Sequence, residues 1–168
     1  RHVAHRDVKL ENLVWSTDPN LSDDAVIKLI DFGFSYRRTN ADDLLLHNDF
    51  AGTSNYESPE VVLKRPHIPE MSDMWCLGVC MYCLIGRHFP FVGRDRHELQ
   101  QAISFAEPHF VGSIWKSLNP KTSALAVRLL SKDPSMRPSA REALRHVQGL
   151  LQELDQPRAG HRGLQAIK

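Results

Sequence analysis

The sequence predicts a mainly α-helical domain with a short β-hairpin near its beginning, and three observations carry that reading. Met74 to Ile85 is almost continuously apolar, hydrophobic on nearly every face, as suits a helix buried on all sides. Two later stretches, Asn119-Pro120 and Ser139-Ala140-Arg141-Glu142, carry helix-start chemistry. Early on, two short runs rich in strand-forming residues, Leu13-Val14-Trp15 and Ala25 to Ile30, flank a polar stretch containing Asp18-Pro19-Asn20.

The chain opens on His5-Arg6-Asp7-Val8-Lys9-Leu10-Glu11-Asn12, an irregular segment just ahead of the first strand. It sets a carboxylate, an ammonium and a carboxamide two and then three residues apart. That trio suits phosphoryl transfer: the carboxylate orients a hydroxyl, the ammonium offsets phosphate charge and the amide oxygen ligates a hard cation. Taken alone, the same residues also make an ordinary polar turn.

The hairpin runs into Asp31-Phe32-Gly33. Pairing of its strands would bring Asp31, just past the second, near Asn12, just before the first, where two oxygens could share a divalent cation such as Mg²⁺. Gly33 permits a sharp turn after the acid. Phe34 to Glu57 has little periodicity and many polar residues, which suits a functional loop better than a simple connection.

Ser72 is expected to cap a helix from Asp73 to Ile85 that stops at Gly86. Its lack of a polar face makes it the expected buried centre of the domain. Asp95 to Ala106 reads as an exposed amphipathic helix. After Asn119-Pro120, Leu125, Leu129 and Leu130 supply a core face. Ser139 to Glu142 forms a capping box that opens a last helix through about Leu154, and residues 155–168, basic and containing Pro and Gly, are expected to be a flexible tail.

At 168 residues, with 42% hydrophobic and 24% charged residues, the chain suits one domain with a substantial core. A net charge of +1 gives no electrostatic reason to propose a nucleic-acid or membrane-surface partner. Met74 to Ile85 is too short to span a bilayer. Cys76, Cys80 and Cys83 fall at helical spacing in one apolar stretch and are expected to be buried free thiols. A reducing compartment, cytoplasmic or nuclear, is therefore expected. The residues from Arg1 onward show no charged-then-apolar leader, so no signal peptide is read in them.

His-Arg-Asp with Lys9 and Asn12, Asp31-Phe32-Gly33, Gly52-Thr53-Ser54-Asn55-Tyr56 and Ser58-Pro59-Glu60 follow one another in this order. Asp73-x-Trp75-x-x-Gly78 and Asp133-Pro134-x-x-Arg137-Pro138 come after them. The set resembles the catalytic half of a eukaryotic protein kinase and covers residues 5 to about 146. Lys9 and Gly52-Thr53 resemble the serine/threonine class. The Ser16 to Asp24 insertion, Asp31-Phe32-Gly33-Phe34-Ser35 and Arg87-His88-Phe89-Pro90-Phe91 resemble calcium/calmodulin-dependent kinases.

The resemblance implies an α+β, protein kinase-like fold, with residues 1–154 forming the mainly helical C-lobe of the catalytic domain. It implies ATP and Mg²⁺ as cofactors and protein substrates as partners, and leaves the oligomeric state open. Asp7 would orient or accept the substrate hydroxyl proton, Lys9 would stabilise the transferring phosphoryl group, and Asn12 and Asp31 would hold Mg²⁺. Lys9, Glu11, Asn12 and Asp31 form the implied nucleotide-side set, and Glu11 also matches an acid that basophilic kinases use for substrate arginine. Arg6, Asp49 and Thr53 are the implied activation and substrate-loop residues, Asp49 standing where the family usually carries a phosphothreonine. His5, Phe32, Glu60, Asp73 and Arg137 would be structural, with Glu60 and Arg137 as a buried ion pair.

Departures from the pattern are also expected to matter. The chain has no Gly-rich nucleotide loop, strand lysine, helix glutamate or hinge, so as given it is expected not to cradle ATP, to be inactive alone and to be a truncated form of a larger kinase. A helix that packs on the central helix in the family is also largely missing, which should expose Trp75, Leu77 and neighbours and make the fragment unstable. Ser54-Asn55 and Ser58 stand where Pro and Ala are common, and Asn55 and Cys83 weaken a basic-site preference. Thr39 and Ser35 are candidate phosphosites. The alternative from another class is a non-catalytic, kinase-like interaction module.

Overall fold

Two small antiparallel ladders lie at the start of the chain and six helices form the rest, in a computed structural model that describes residues 3–37, 39–40 and 54–155. Strand β2 (Leu13–Trp15) pairs with β3 (Ile27–Leu29), with Leu13 opposite Leu29 and Trp15 opposite Ile27. The second strand is shorter than the expected 25–30. Its first two N–H groups are taken by the turn, Ala25 by the Ser22 carbonyl at 3.2 Å and Val26 by the Ser16 hydroxyl at 3.1 Å.

A second ladder, absent from the sequence reading, pairs β1 (Val3–Ala4) with β4 (Tyr36–Arg37). Two residues are too few for a period-2 pattern to register. The ladder returns the chain after Asp31-Phe32-Gly33 to the side of the opening segment.

The short helix α1 (Pro59–Val62) precedes the central helix α2, which runs Pro69–Gly86 rather than 73–85. Pro69 takes the first helical position, where its fixed φ suits a helix and its missing N–H is not needed. Ile68, not Ser72, is therefore the cap, and the Ser72 hydroxyl instead donates to Glu60 Oε1 at 3.0 Å. At the other end Gly86 is still helical, and Arg87, left-handed at φ 60°, closes the helix by donating its N–H to the Cys83 carbonyl.

Helices α3 (Arg96–Phe105), α4 (Ser113–Ser117), α5 (Pro120–Leu129) and α6 (Ala140–Asp155) pack around this axis. Asp95 caps α3 by accepting the Glu98 N–H, and Asn119 caps α5 by accepting the Lys121 N–H. Ser139 and Glu142 exchange the reciprocal bonds of a capping box. From α2, Trp75, Val79, Cys80 and Tyr82 are at most 1% exposed, and Ile103, Leu129 and Leu130 meet them from the neighbours.

The expected exposure of Trp75 is wrong. Its ring is fully buried and stacks on Phe91 with centroids 5.5 Å apart, with the Lys132 ammonium and Arg137 guanidinium 5.0 and 5.1 Å from it. Leu77 and Leu84 are the α2 side chains that do face outward, at 38% and 67%. With Leu13, Met81, Leu144 and Val147 they line an apolar groove of about 500 Å³. Cys76 and Cys80 are buried and Cys83 half-buried, all free, and burial pushes each thiol up. Among the described residues no helix is long and apolar enough to cross a membrane.

Candidate active site

The opening segment turns tightly because its polar groups are answered locally. Asn12 sits in a single 3-10 turn, Leu10–Asn12, and donates its N–H to the Lys9 carbonyl at 3.0 Å. Its Nδ2 reaches back to the Asp7 carbonyl at 2.8 Å and to Asp7 Oδ2 at 3.1 Å. Lys9 Nζ donates to the same oxygen at 2.8 Å. Asp7, Lys9 and Asn12 thus meet at one carboxylate oxygen. Asp7 and Asn12 are buried, at 7% and 6% exposed. The Asp7 hydrogen bond raises the lysine pKa against a small cost of burial, and the charges of Glu11 and Asp31 add to the rise.

His5 fixes this loop from behind. Its Nδ1 accepts the Asp7 N–H at 3.3 Å, so Nε2 carries the proton that goes to the Ile30 carbonyl at 2.9 Å. The Asp73 carboxylate on α2 accepts two loop N–H groups, from His5 at 2.6 Å and Arg6 at 2.8 Å. Burial pushes the Asp73 carboxyl up, opposed by those two donors. Arg6 is left-handed at φ 68°, a conformation costly for a non-glycine residue and held here by Asp73.

The hairpin delivers the next acid. Ile30 donates its N–H to the Asn12 carbonyl at 3.0 Å, which puts Asp31 beside the end of the opening loop. Asp31 is itself left-handed, at φ 62°, and exposed, and its Oδ1 accepts the Gly33 N–H at 3.2 Å. Phe32 packs edge-on against His5 at 4.8 Å. Since Asn12 spends its amide nitrogen on Asp7, its Oδ1 remains as the ligating end, next to an exposed carboxylate. Two hard oxygen donors of this kind suit Mg²⁺ shared with phosphate oxygens.

Glu60 and Arg137 meet as expected, 77 residues apart in sequence. Both terminal guanidinium nitrogens bond the carboxylate, at 2.7 and 2.8 Å, and Arg137 also donates to the carbonyls of Ser131, through Nε, and Met71. Burial is the largest influence on Glu60 and pushes its pKa up, but Arg137 outweighs it and the net shift is downward. Glu11 is exposed and accepts a long hydrogen bond from the Tyr56 hydroxyl, 3.4 Å away. Thr53 and Asp49 lie outside the described residues. Glu57, buried between Tyr56 and Ser58, was not singled out from the sequence, nor was the bond from Ser72 to Glu60. A charged residue inside an otherwise conventional loop motif was the available signal for Glu57.

Comparison with known proteins agrees with this arrangement. The family description "Protein kinase domain" matches residues 1–147. CDPK-related kinase 4 of Arabidopsis thaliana is 38% identical over 148 residues, which is 86% of this chain and 23% of that protein. Serine/threonine-protein kinase H1 of Mus musculus is 35% identical over 144 residues, covering 86% of this chain and 33% of that protein. The calcium/calmodulin-dependent protein kinase type II subunit delta of Oryctolagus cuniculus is 36% identical over 144 residues, again 86% of this chain and 26% of that protein. The chain thus spans a third or less of the length of these relatives. With the family's description matched over most of its length, and its Asp, Lys, Asn and second Asp gathered at one end of the helical body, the chain belongs to the eukaryotic protein kinase family.

Proposed function

We propose that this chain carries the phosphoryl-transfer half of an ATP- and Mg²⁺-dependent protein serine/threonine kinase. The observation that carries the reading is the shared Asp7 oxygen, held by Lys9 at 2.8 Å and Asn12 at 3.1 Å. Asp7 accepts the proton of a serine or threonine hydroxyl and orients its oxygen for in-line attack. Lys9, kept protonated by Asp7, offsets charge on the transferring group. The Asn12 amide oxygen and the Asp31 carboxylate are the residues that would hold Mg²⁺, which would supply charge neutralisation at the nucleotide phosphates. His5 and Asp73 position the loop without touching the reacting atoms.

The meeting of Asp7, Lys9 and Asn12 at one carboxylate oxygen favours this reading over a non-catalytic module, which would not need Lys9 and Asn12 on one carboxylate. The test is phosphoryl transfer from ATP to a serine-containing peptide library by the full-length protein. Asp7→Asn is expected to lower kcat by about 10²- to 10⁴-fold, the usual contribution of a positioned proton acceptor. Equal activity in the variant, or none in the wild type, would overturn the proposal.

A further inference from the structure

Asp73, Cys76, Cys80 and Cys83 recur at three- and four-residue steps along α2 and so share one face of it. Asp73 already has a task there, holding the N–H groups of His5 and Arg6. The three thiols have none in the chemistry described above. All are free, and among the described residues they belong to no metal-binding cluster. Tyr56 is buried with them in the same core cluster, and its carbonyl takes the Cys76 thiol.

Tyr56 bridges the central helix and the catalytic turn. At its backbone end the Cys76 bond is 3.1 Å long and lies in the interior, where water does not compete for the carbonyl. At the other end the hydroxyl donates to Glu11 Oε2 at 3.4 Å, with the Leu10 N–H beside it. Leu10 opens the 3-10 turn that runs to Asn12, and Lys9, the residue before it, supplies no side-chain cap. Between the two ends the ring packs edge-on against Phe89, centroids 5.5 Å apart. Burial pushes the pKa of the Tyr56 hydroxyl up, so it stays a donor at working pH. Burial also pushes Cys80 up to about 12 and Cys83 to about 11, so neither becomes a thiolate that would take this donor from Glu11.

Resting on the kinase reading above, we infer that Tyr56, seated on the cysteine face of α2 and anchored by Cys76, is a positioning residue for the catalytic turn. Asp73 fixes the start of the loop that carries Asp7, and Tyr56 fixes its far end at Leu10 and Glu11, between Lys9 and Asn12. One face of one buried helix thus sets both ends of the segment from His5 to Asn12. The Cys76 thiol holds the Tyr56 backbone, and the hydroxyl carries that hold to the turn.

The test uses the full-length protein. Tyr56→Phe keeps the ring and removes only the hydroxyl, Cys76→Ala removes the anchoring donor, and Cys76→Ser restores one. Three quantities are read: kcat and KM with a serine peptide, ATP and Mg²⁺; amide hydrogen exchange of residues 10–13 without nucleotide; and the denaturation midpoint. Tyr56→Phe is expected to lower kcat about tenfold with KM for ATP unchanged, and to speed exchange at residues 10–13 about tenfold, the yield of one hydrogen bond to a charged group. Cys76→Ala moves both quantities the same way, and Cys76→Ser brings both back toward wild type. A merely structural role would lower the midpoint and speed exchange along the whole chain, without that rescue. Unchanged exchange at residues 10–13 in Tyr56→Phe, exchange speeded equally everywhere, or Cys76→Ser no better than Cys76→Ala would overturn the inference. The expected local exchange in a protein that transfers no phosphoryl group would sink the kinase reading and leave the anchoring of the turn standing.

Discussion

The Asp73 carboxylate accepts the backbone N–H of His5 at 2.6 Å, although 68 residues separate them. With the matching bond from Arg6, it anchors the loop that carries Asp7 to the most buried helix of the domain. Asp73→Asn replaces one accepting oxygen with an amide nitrogen and strands a loop N–H, at about 1–3 kcal/mol. The Asp7 carboxylate then loses its fixed aim. Peptide phosphorylation is expected to fall by about 10²-fold, in kcat more than in KM, since misplacement by an ångström costs that much. A loss confined to KM would contradict this role.

Glu60 and Arg137 make a bidentate pair with side chains 7% and 0% exposed. Arg137→Met leaves the glutamate buried without its cation and is expected to cost about 3–5 kcal/mol, read as a shift in the denaturant midpoint. The pair also sets an acid limit. Glu60 has its pKa lowered in the folded state, so its contribution is full above the ordinary glutamate value and is lost as pH falls through the folded one. The double variant Glu60→Gln, Arg137→Met should lose less stability than Arg137→Met alone, because no charge is stranded.

The parts of this site that were legible in the sequence are those assembled locally. Asp7, Lys9 and Asn12 fall within six residues, and their bonds close inside one turn. The approach of Asp31 followed from a hairpin that could be read from its strands. What stayed hidden depends on groups brought from far along the chain. Trp75 was expected at the surface because a helix that packs on the central helix in the family is largely missing, but its covers, Phe91, Lys132 and Arg137, come from other segments of the chain. The start of α2 was misplaced because Ser72 has capping chemistry, yet Pro69 already satisfies the first turn and Glu60 takes the serine hydroxyl. The burial of Glu57, just ahead of α1, is likewise a property of the tertiary packing.

Gly78 lets α2 lie close against the end of α5. A Cβ added there would meet Leu129 Cβ at 2.8 Å and Leu130 Cδ2 at 3.1 Å. Leu129 and Leu130 are both 1% exposed and have no space to retreat into. Gly78→Ala should therefore destabilise the protein by about 1–3 kcal/mol through overpacking, despite the better helix propensity of alanine. Equilibrium denaturation is the check, with a lower midpoint at unchanged m-value expected.

Lys132 places its ammonium 3.9 Å from the Phe91 ring centroid and 5.0 Å from that of Trp75, and donates to the Ile103 carbonyl at 2.6 Å. Burial is the dominant influence and pushes its pKa down to about 8, although the rings and the carbonyl favour the charged form. For a lysine shifted this way the folded state pays for holding the proton. Between about 8 and the ordinary 10.5 the folded protein has released it while the unfolded chain still binds it, so stability rises with pH in that window. Lys132→Met keeps most of the stem between the rings and removes the titration. The stability of wild type minus that of the variant is expected to increase by roughly 1–3 kcal/mol from pH 8 to pH 10.5, measured by urea denaturation at each pH. A flat difference would show that the ring and carbonyl contacts compensate the ammonium in full.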